Sequence, residues 1–167
     1  MRIAAIALFF TAVAGGMAIP ARPAAAQAAR QAPPYWRSIG PGRALMRTGP
    51  ARTYPASWLY QRRDLPLRVV AVFKEWRRVQ DPDGAEGWML SNLLRTTRTA
   101  IVRGEGPAAM RKRPATDAAL AWQAAPGVVG RISDCAGTGW CRFDVEGRTG
   151  YIEIERLWGV EQSEMVE

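Results

Sequence analysis

Few side chains in this sequence have types and spacings that bear on chemistry. Asp81, Asp83 and Glu86 bring three carboxylates close together, the raw material of a two-carboxylate hydrolase. Asp81 and Asp83, however, flank the proline of Asp81-Pro82-Asp83-Gly84, where aspartate is expected for local hydrogen bonding in a turn. Cys135 and Cys141 bracket Ala-Gly-Thr-Gly-Trp. Without C-x-x-C spacing or a histidine partner they make a poor redox or nucleophilic pair, and in an oxidising compartment the default is a disulfide. Closing so short a loop contributes about 2 kcal/mol in the chain-entropy model.

Histidine is absent from all 167 residues. That removes Ser–His and Cys–His catalysis and histidine-ligated zinc. Two cysteines do not by themselves make an iron–sulfur or thiolate zinc site. The expectation is a non-enzymatic protein without cofactor or metal.

Location is written at the N-terminus. Met1-Arg2, the apolar run Ile3 to Ala14 and the small residues Ala24-Ala25-Ala26 follow one another in the order of a secretory signal peptide. Cleavage after Ala26 and after Ala28 fit equally well, and contact with a membrane is expected only if this segment is retained. The apolar core is short for a bilayer span. The expected location is the periplasm or beyond it. Lys and Arg number 23 against 15 Asp and Glu, and loss of 1–26 removes Arg2 and Arg22 but no acid. No run of four basic residues exists, so nucleic acid is not expected as a partner.

The elements that position these residues come in two copies. Trp58 and Trp122, Trp76 and Trp140, Met46-Arg47 and Met110-Arg111, and Pro50 and Pro114 all stand 64 residues apart. Further on the spacing falls to 63, for Gly84 and Gly147, Gly87 and Gly150, Trp88 and Tyr151, and Leu94 and Leu157. One residue deleted in a hairpin turn accounts for the change, and the whole pattern describes an internal repeat. Short alternating stretches, such as Leu65, Leu67, Val69, Ala71 and Phe73, read as strands between glycine-rich turns. Thr99 to Val102 reads as the closing strand of the first copy. The expected organisation is a signal peptide (1–26), a flexible leader (27–36), barrel one (37–102), a linker (103–107), barrel two (108–160) and an acidic tail (161–167). An all-β fold of two tandem small barrels follows.

The stretch Glu75-Trp76-Arg77-Arg78-Val79 with Asp83-Gly84-Ala85-Glu86-Gly87-Trp88-Met89-Leu90-Ser91-Asn92-Leu93 resembles the distal-hairpin half of a Src-homology-3 domain. Met46-Arg47-Thr48-Gly49-Pro50 with Tyr54-Pro55 is similar to the opening motif of the bacterial members. Trp140-Cys141-Arg142-Phe143 and Gly147-Arg148-Thr149-Gly150-Tyr151 repeat the pattern. The resemblance is to small exported alphaproteobacterial proteins that carry such SH3-like domains in tandem. It implies two five-stranded, partly open barrels. In eukaryotic relatives the tryptophan opening the third strand lines a proline-peptide groove, and it maps onto Trp76 and Trp140. The acidic loop and tyrosine pair that complete that groove have no clear counterpart here, and the proline before Ser-Asn is Leu90. Bacterial relatives point instead to the cell wall.

Two non-catalytic functions follow, with a hydrolase a distant third. The first is a binding module for cell-wall glycopeptide or an extended segment of an envelope protein; the second is a structural subunit of an envelope assembly. The expected ligand site comprises Trp76, Arg78, Tyr54 and Tyr60 in barrel one and Trp140 and Arg142 in barrel two. Strand parity puts each arginine on its tryptophan's face, and both tryptophans are expected to be partly exposed. Trp58, Trp88, Trp122 and Tyr151 are expected in the cores, the usual fate of such residues. Trp36 either anchors a partner or covers the open end of a barrel.

Overall fold

Glycine, proline and aspartate interrupt the apolar stretches every few residues, so the chain folds as short strands joined by tight turns. The computed structural model describes residues 31–136 and 138–166. The expected signal segment and residues 27–30 lie outside that range. The first antiparallel sheet contains β1 (Tyr35–Ile39), β2 (Ala44–Arg47), β3 (Ala56–Tyr60), β4 (Pro66–Phe73), β5 (Trp76–Gln80), β6 (Glu86–Leu90) and β7 (Leu94–Arg95), in the order β3-β2-β6-β5-β4-β1-β7. The second contains β8 (Thr99–Val102), β9 (Ala108–Arg111), β10 (Leu120–Ala124), β11 (Val129–Ser133), β13 (Trp140–Val145), β14 (Arg148–Glu153) and β15 (Leu157–Trp158). The short strands β12 (Cys135–Ala136) and β16 (Met165–Val166) pair with each other. The fold is all-β, two tandem barrels, as expected.

Each sheet has seven strands rather than five. Tyr35–Ile39, which begins inside the expected leader, adds a strand paired to both β4 and β7. Ala56–Tyr60 adds another at the opposite edge. The expected closing strand of barrel one is a correction. Thr99–Val102 pairs with β11 and β15, in the second sheet. It stands 64 residues after β1, which has the same place in the first sheet, so the structural repeat opens with this strand in both copies.

β8 also explains why the barrels pack as neighbours. All four of its residues are buried. Ala100 and Val102 belong to the second core with Met110, Phe143 and Ile152. Ile101, pointing the other way, belongs to the first core with Ile39, Met46, Leu67, Val79 and Met89. One strand is thus a wall of both cores. Outside the cores, Arg62 donates to the Gly127 carbonyl at 2.6 Å, and Arg103 donates to the Pro82 carbonyl and pairs with Asp83.

The repeated glycines have two separate reasons. Gly84 and Gly147 occupy turns at φ 87° and 88°, a conformation that glycine adopts without steric cost. Gly87 and Gly150 sit where two strands cross closely. A Cβ on Gly87 would lie 2.6 Å from Met46 Cγ and 2.8 Å from the Arg47 carbonyl, and one on Gly150 would lie 2.7 Å from Met110 Cβ. The shift in spacing from 64 to 63 also has its cause. Five residues separate Gln80 from its cross-strand partner Glu86, whereas four separate the equivalent pair Asp144 and Thr149.

Candidate functional site

Trp76 opens β5, opposite Leu90 of β6. It is 4% exposed, yet it lies outside the core cluster of its barrel. Its surroundings are on the outer side of the sheet. Inward residues of β2 are Ala44 and Met46, so Leu45 and Arg47 turn outward, and Leu45 faces Leu59 across the β2–β3 pair. These groups enclose a groove of about 400 Å³. Trp76, Leu45, Leu59, Leu90 and Leu93 make its apolar lining, and Arg43, Arg47 and Arg52 its basic part. None of the described lining residues is acidic. Arg47 donates to the Tyr54 carbonyl at 2.7 Å. Arg43 and Arg52 are exposed, and neither is in an ion pair among the described residues. The groove can hold an apolar group against Trp76 while guanidinium groups bind an anion beside it.

Of the expected site residues, only Trp76 lines this groove. Arg78 is exposed and pairs with Glu86 at 2.9 Å. Tyr54 is 47% exposed, beside Gly49, where an added Cβ would meet its ring. Tyr60 packs against the core, and its hydroxyl donates to Asp81 at 2.8 Å. Burial, then that hydrogen bond and the nearby carboxylate charges, push the Tyr60 hydroxyl well above the usual tyrosine range. In the second barrel Trp140 is 8% exposed and faces Glu153 across the β13–β14 pair. Arg142 is exposed and lies beside Arg131 and Asp144.

Most of the expected exposures are reversed, Trp122 being the exception because it packs against the second core. Trp76 and Trp140 are buried, whereas Trp88, Trp122 and Tyr151 are half-buried and Trp58 is 57% exposed. Met89 fills the core position that Trp88 was expected to fill, since adjacent residues of a strand face opposite ways. Trp58 and Trp122 differ for a local reason. Arg148 lies over the Trp122 ring at 5.0 Å, and the indole donates to the Thr149 carbonyl. The residue equivalent to Arg148 in barrel one is Ala85, too small to cover Trp58. Trp36 covers rather than protrudes: it is buried against Trp158.

Asp81 and the two cysteines are tied into the structure. Asp81 accepts from the backbone of Asp83 and Ala85 through one oxygen and from Tyr60 through the other. Cys135 and Cys141 form the expected disulfide. Among the described residues no three carboxylates or cysteines converge as a metal-ligand set.

The family model for the bacterial SH3 domain matches residues 40–96 and again residues 104–159. The chain belongs to the bacterial SH3 domain family. No curated protein matches the sequence. Among solved structures, NlpC1 and NlpC2 from Trichomonas vaginalis are similar at 14% and 15% identity, with TM-scores of 0.33 and 0.34. Each alignment covers 77% of this chain, and 46% and 49% of the other. The chain therefore spans about half the length of either.

The two bacterial SH3 domains differ at the groove. Positions equivalent to Leu45, Leu59, Leu90 and Leu93 hold Ala109, Gln123, Glu153 and Arg156 in the second domain. Pro107 and Thr116 stand where Arg43 and Arg52 do. Only the third arginine is repeated, as Arg111, which donates to the Ala118 carbonyl just as Arg47 donates to Tyr54. The leucines and arginines that line the groove beside Trp76 were the part of the site that sequence reasoning missed. The available signal was the comparison of the two copies position by position.

Proposed function

We propose that this chain is a non-catalytic, exported binding module that engages cell-wall peptidoglycan or an extended segment of an envelope protein. The observation that carries the reading is the groove over Trp76, large enough at about 400 Å³ for part of a small peptide ligand. Extended chains dock in such loop-lined grooves and along open sheet edges. Export is supported by the order of charge, apolar core and small residues at 1–26. A Cys135–Cys141 bond suits the same oxidising compartment. Against a hydrolase stands the engagement of both Asp81 oxygens in the turn.

One observation favours the structural-subunit reading. Edge strand β3 carries Trp58 and Leu59 in the open, and an exposed aromatic patch on an edge strand is covered in many assemblies. Incubating the exported chain with purified sacculi, and in parallel with detergent-extracted envelope proteins, separates the two. Retention on sacculi is expected. Retention of a single stoichiometric envelope protein, with none on sacculi, would replace wall binding by assembly.

A further inference from the structure

We infer that the chain binds through the groove of its first domain alone, and that this groove selects a carboxylate-bearing peptide, the stem of wall peptidoglycan. The inference rests on the wall-binding reading and specifies which chemical part of the wall enters which barrel. Three guanidinium groups line the groove, and no acid among the described lining residues offsets them. Arg47 has a structural bond to the Tyr54 carbonyl that its counterpart Arg111 repeats. Arg43 and Arg52 have no such repeated role, and both project from the surface beside an apolar floor. That pairing suits a ligand with a carboxylate close to small apolar side chains. A sugar chain without charge would leave both arginines unused.

The second domain keeps Trp140 and Arg111 but lacks the four leucines and the counterparts of Arg43 and Arg52. Glu153 stands opposite Trp140, where a negative charge opposes an incoming carboxylate. Arg156, at the position of Leu93, has a different task. Its guanidinium donates to the carbonyls of Arg103, Glu105 and Gly106 and so holds the connection between the domains. The repeat has kept the fold in both copies and the anion-binding groove in one.

The test compares retention on intact sacculi with calorimetric titration of the exported chain by disaccharide-peptides released from sacculi with a muramidase. These are used with free carboxylates and with the carboxylates converted to amides. The expected result is retention on sacculi and one equivalent of free-acid probe per chain. Amidation of the probe, or the double variant Arg43→Gln with Arg52→Gln, should weaken titration by about tenfold or more with unchanged thermal unfolding. Gln123→Ala, in the second domain, should bind as the parent does. Retention on sacculi, together with a titration indifferent to amidation of the probe and to the arginine variant, would overturn the inference and leave wall binding in place. Two equivalents per chain would overturn it also. Absence of retention on sacculi would remove the wall reading itself, and the inference with it.

Discussion

Trp36 and Trp158 meet edge to face, with ring centroids 4.7 Å apart and planes at 83°, so the first strand of one barrel is packed against the last short strand of the other sheet. Trp36 is buried there, with the Arg68 guanidinium 5.9 Å from its ring. Arg68 in turn pairs with Glu161 at 3.3 Å. The expected acidic tail therefore folds back beside the domain contact.

This pair should join the two domains energetically. Trp36→Ala is expected to destabilise the protein by about 3 kcal/mol or more in urea unfolding, because it removes a buried aromatic. A double-mutant cycle with Trp158→Ala should yield a coupling of about 0.5–1.5 kcal/mol, the usual worth of an aromatic pair. Additive single effects would show that the two rings contribute independently.

The reversed tryptophans give a second comparison. Trp76→Ala, at a buried position, should cost about 3 kcal/mol or more. Trp88→Ala, at a half-buried position on the outer face opposite Arg78, should cost less than half as much in the same thermal-unfolding series. A larger loss at Trp88 would contradict the faces described above.

Replacing Cys135 and Cys141 together by serine should lower the stability of the second domain by about 2 kcal/mol in denaturant unfolding, the chain-entropy value for so short a loop. The parent protein should take up no maleimide without prior reduction. Cys135 also begins the strand that pairs with Met165–Val166, so proteolysis near the C-terminus should be faster in the double variant. Equal proteolysis rates would separate the tail from the staple.

Alkaline pH should destabilise the first domain through Tyr60. Its hydroxyl is raised above the ordinary value of 10.0, chiefly by burial and then by donation to Asp81. The folded state thus holds the proton more tightly than the unfolded state. The contribution is complete below about pH 10 and is lost as pH rises beyond it. Tyr60→Phe should cost about 1–2 kcal/mol at neutral pH, from the lost hydrogen bond to a carboxylate, and should flatten the fall in stability above pH 10. A parent and variant that fall in parallel there would assign the alkaline transition to another group.

Some of this molecule follows from the sequence alone. Rare residues at spacings of 64 and 63 specify two copies of one barrel and place the deletion in a hairpin turn. Asp81-Pro82-Asp83-Gly84 specifies that turn, and two cysteines about a short glycine-containing tip specify the staple. These are local features, decided by backbone preferences and by spacing along the chain. Burial of the tryptophans and the composition of the groove were decided by tertiary structure. From Leu65, just before β4, the alternation holds through Leu67 and Val69, then fails at a register shift between Val69 and Ala71, and Phe73 emerges exposed. A bulge of one residue exchanges the faces of everything beyond it. Where Thr99–Val102 belongs could not be read from its composition either. Four residues buried on both faces fit either barrel equally well, and only the packing of two adjacent cores assigns the strand to the second sheet while directing Ile101 into the first core.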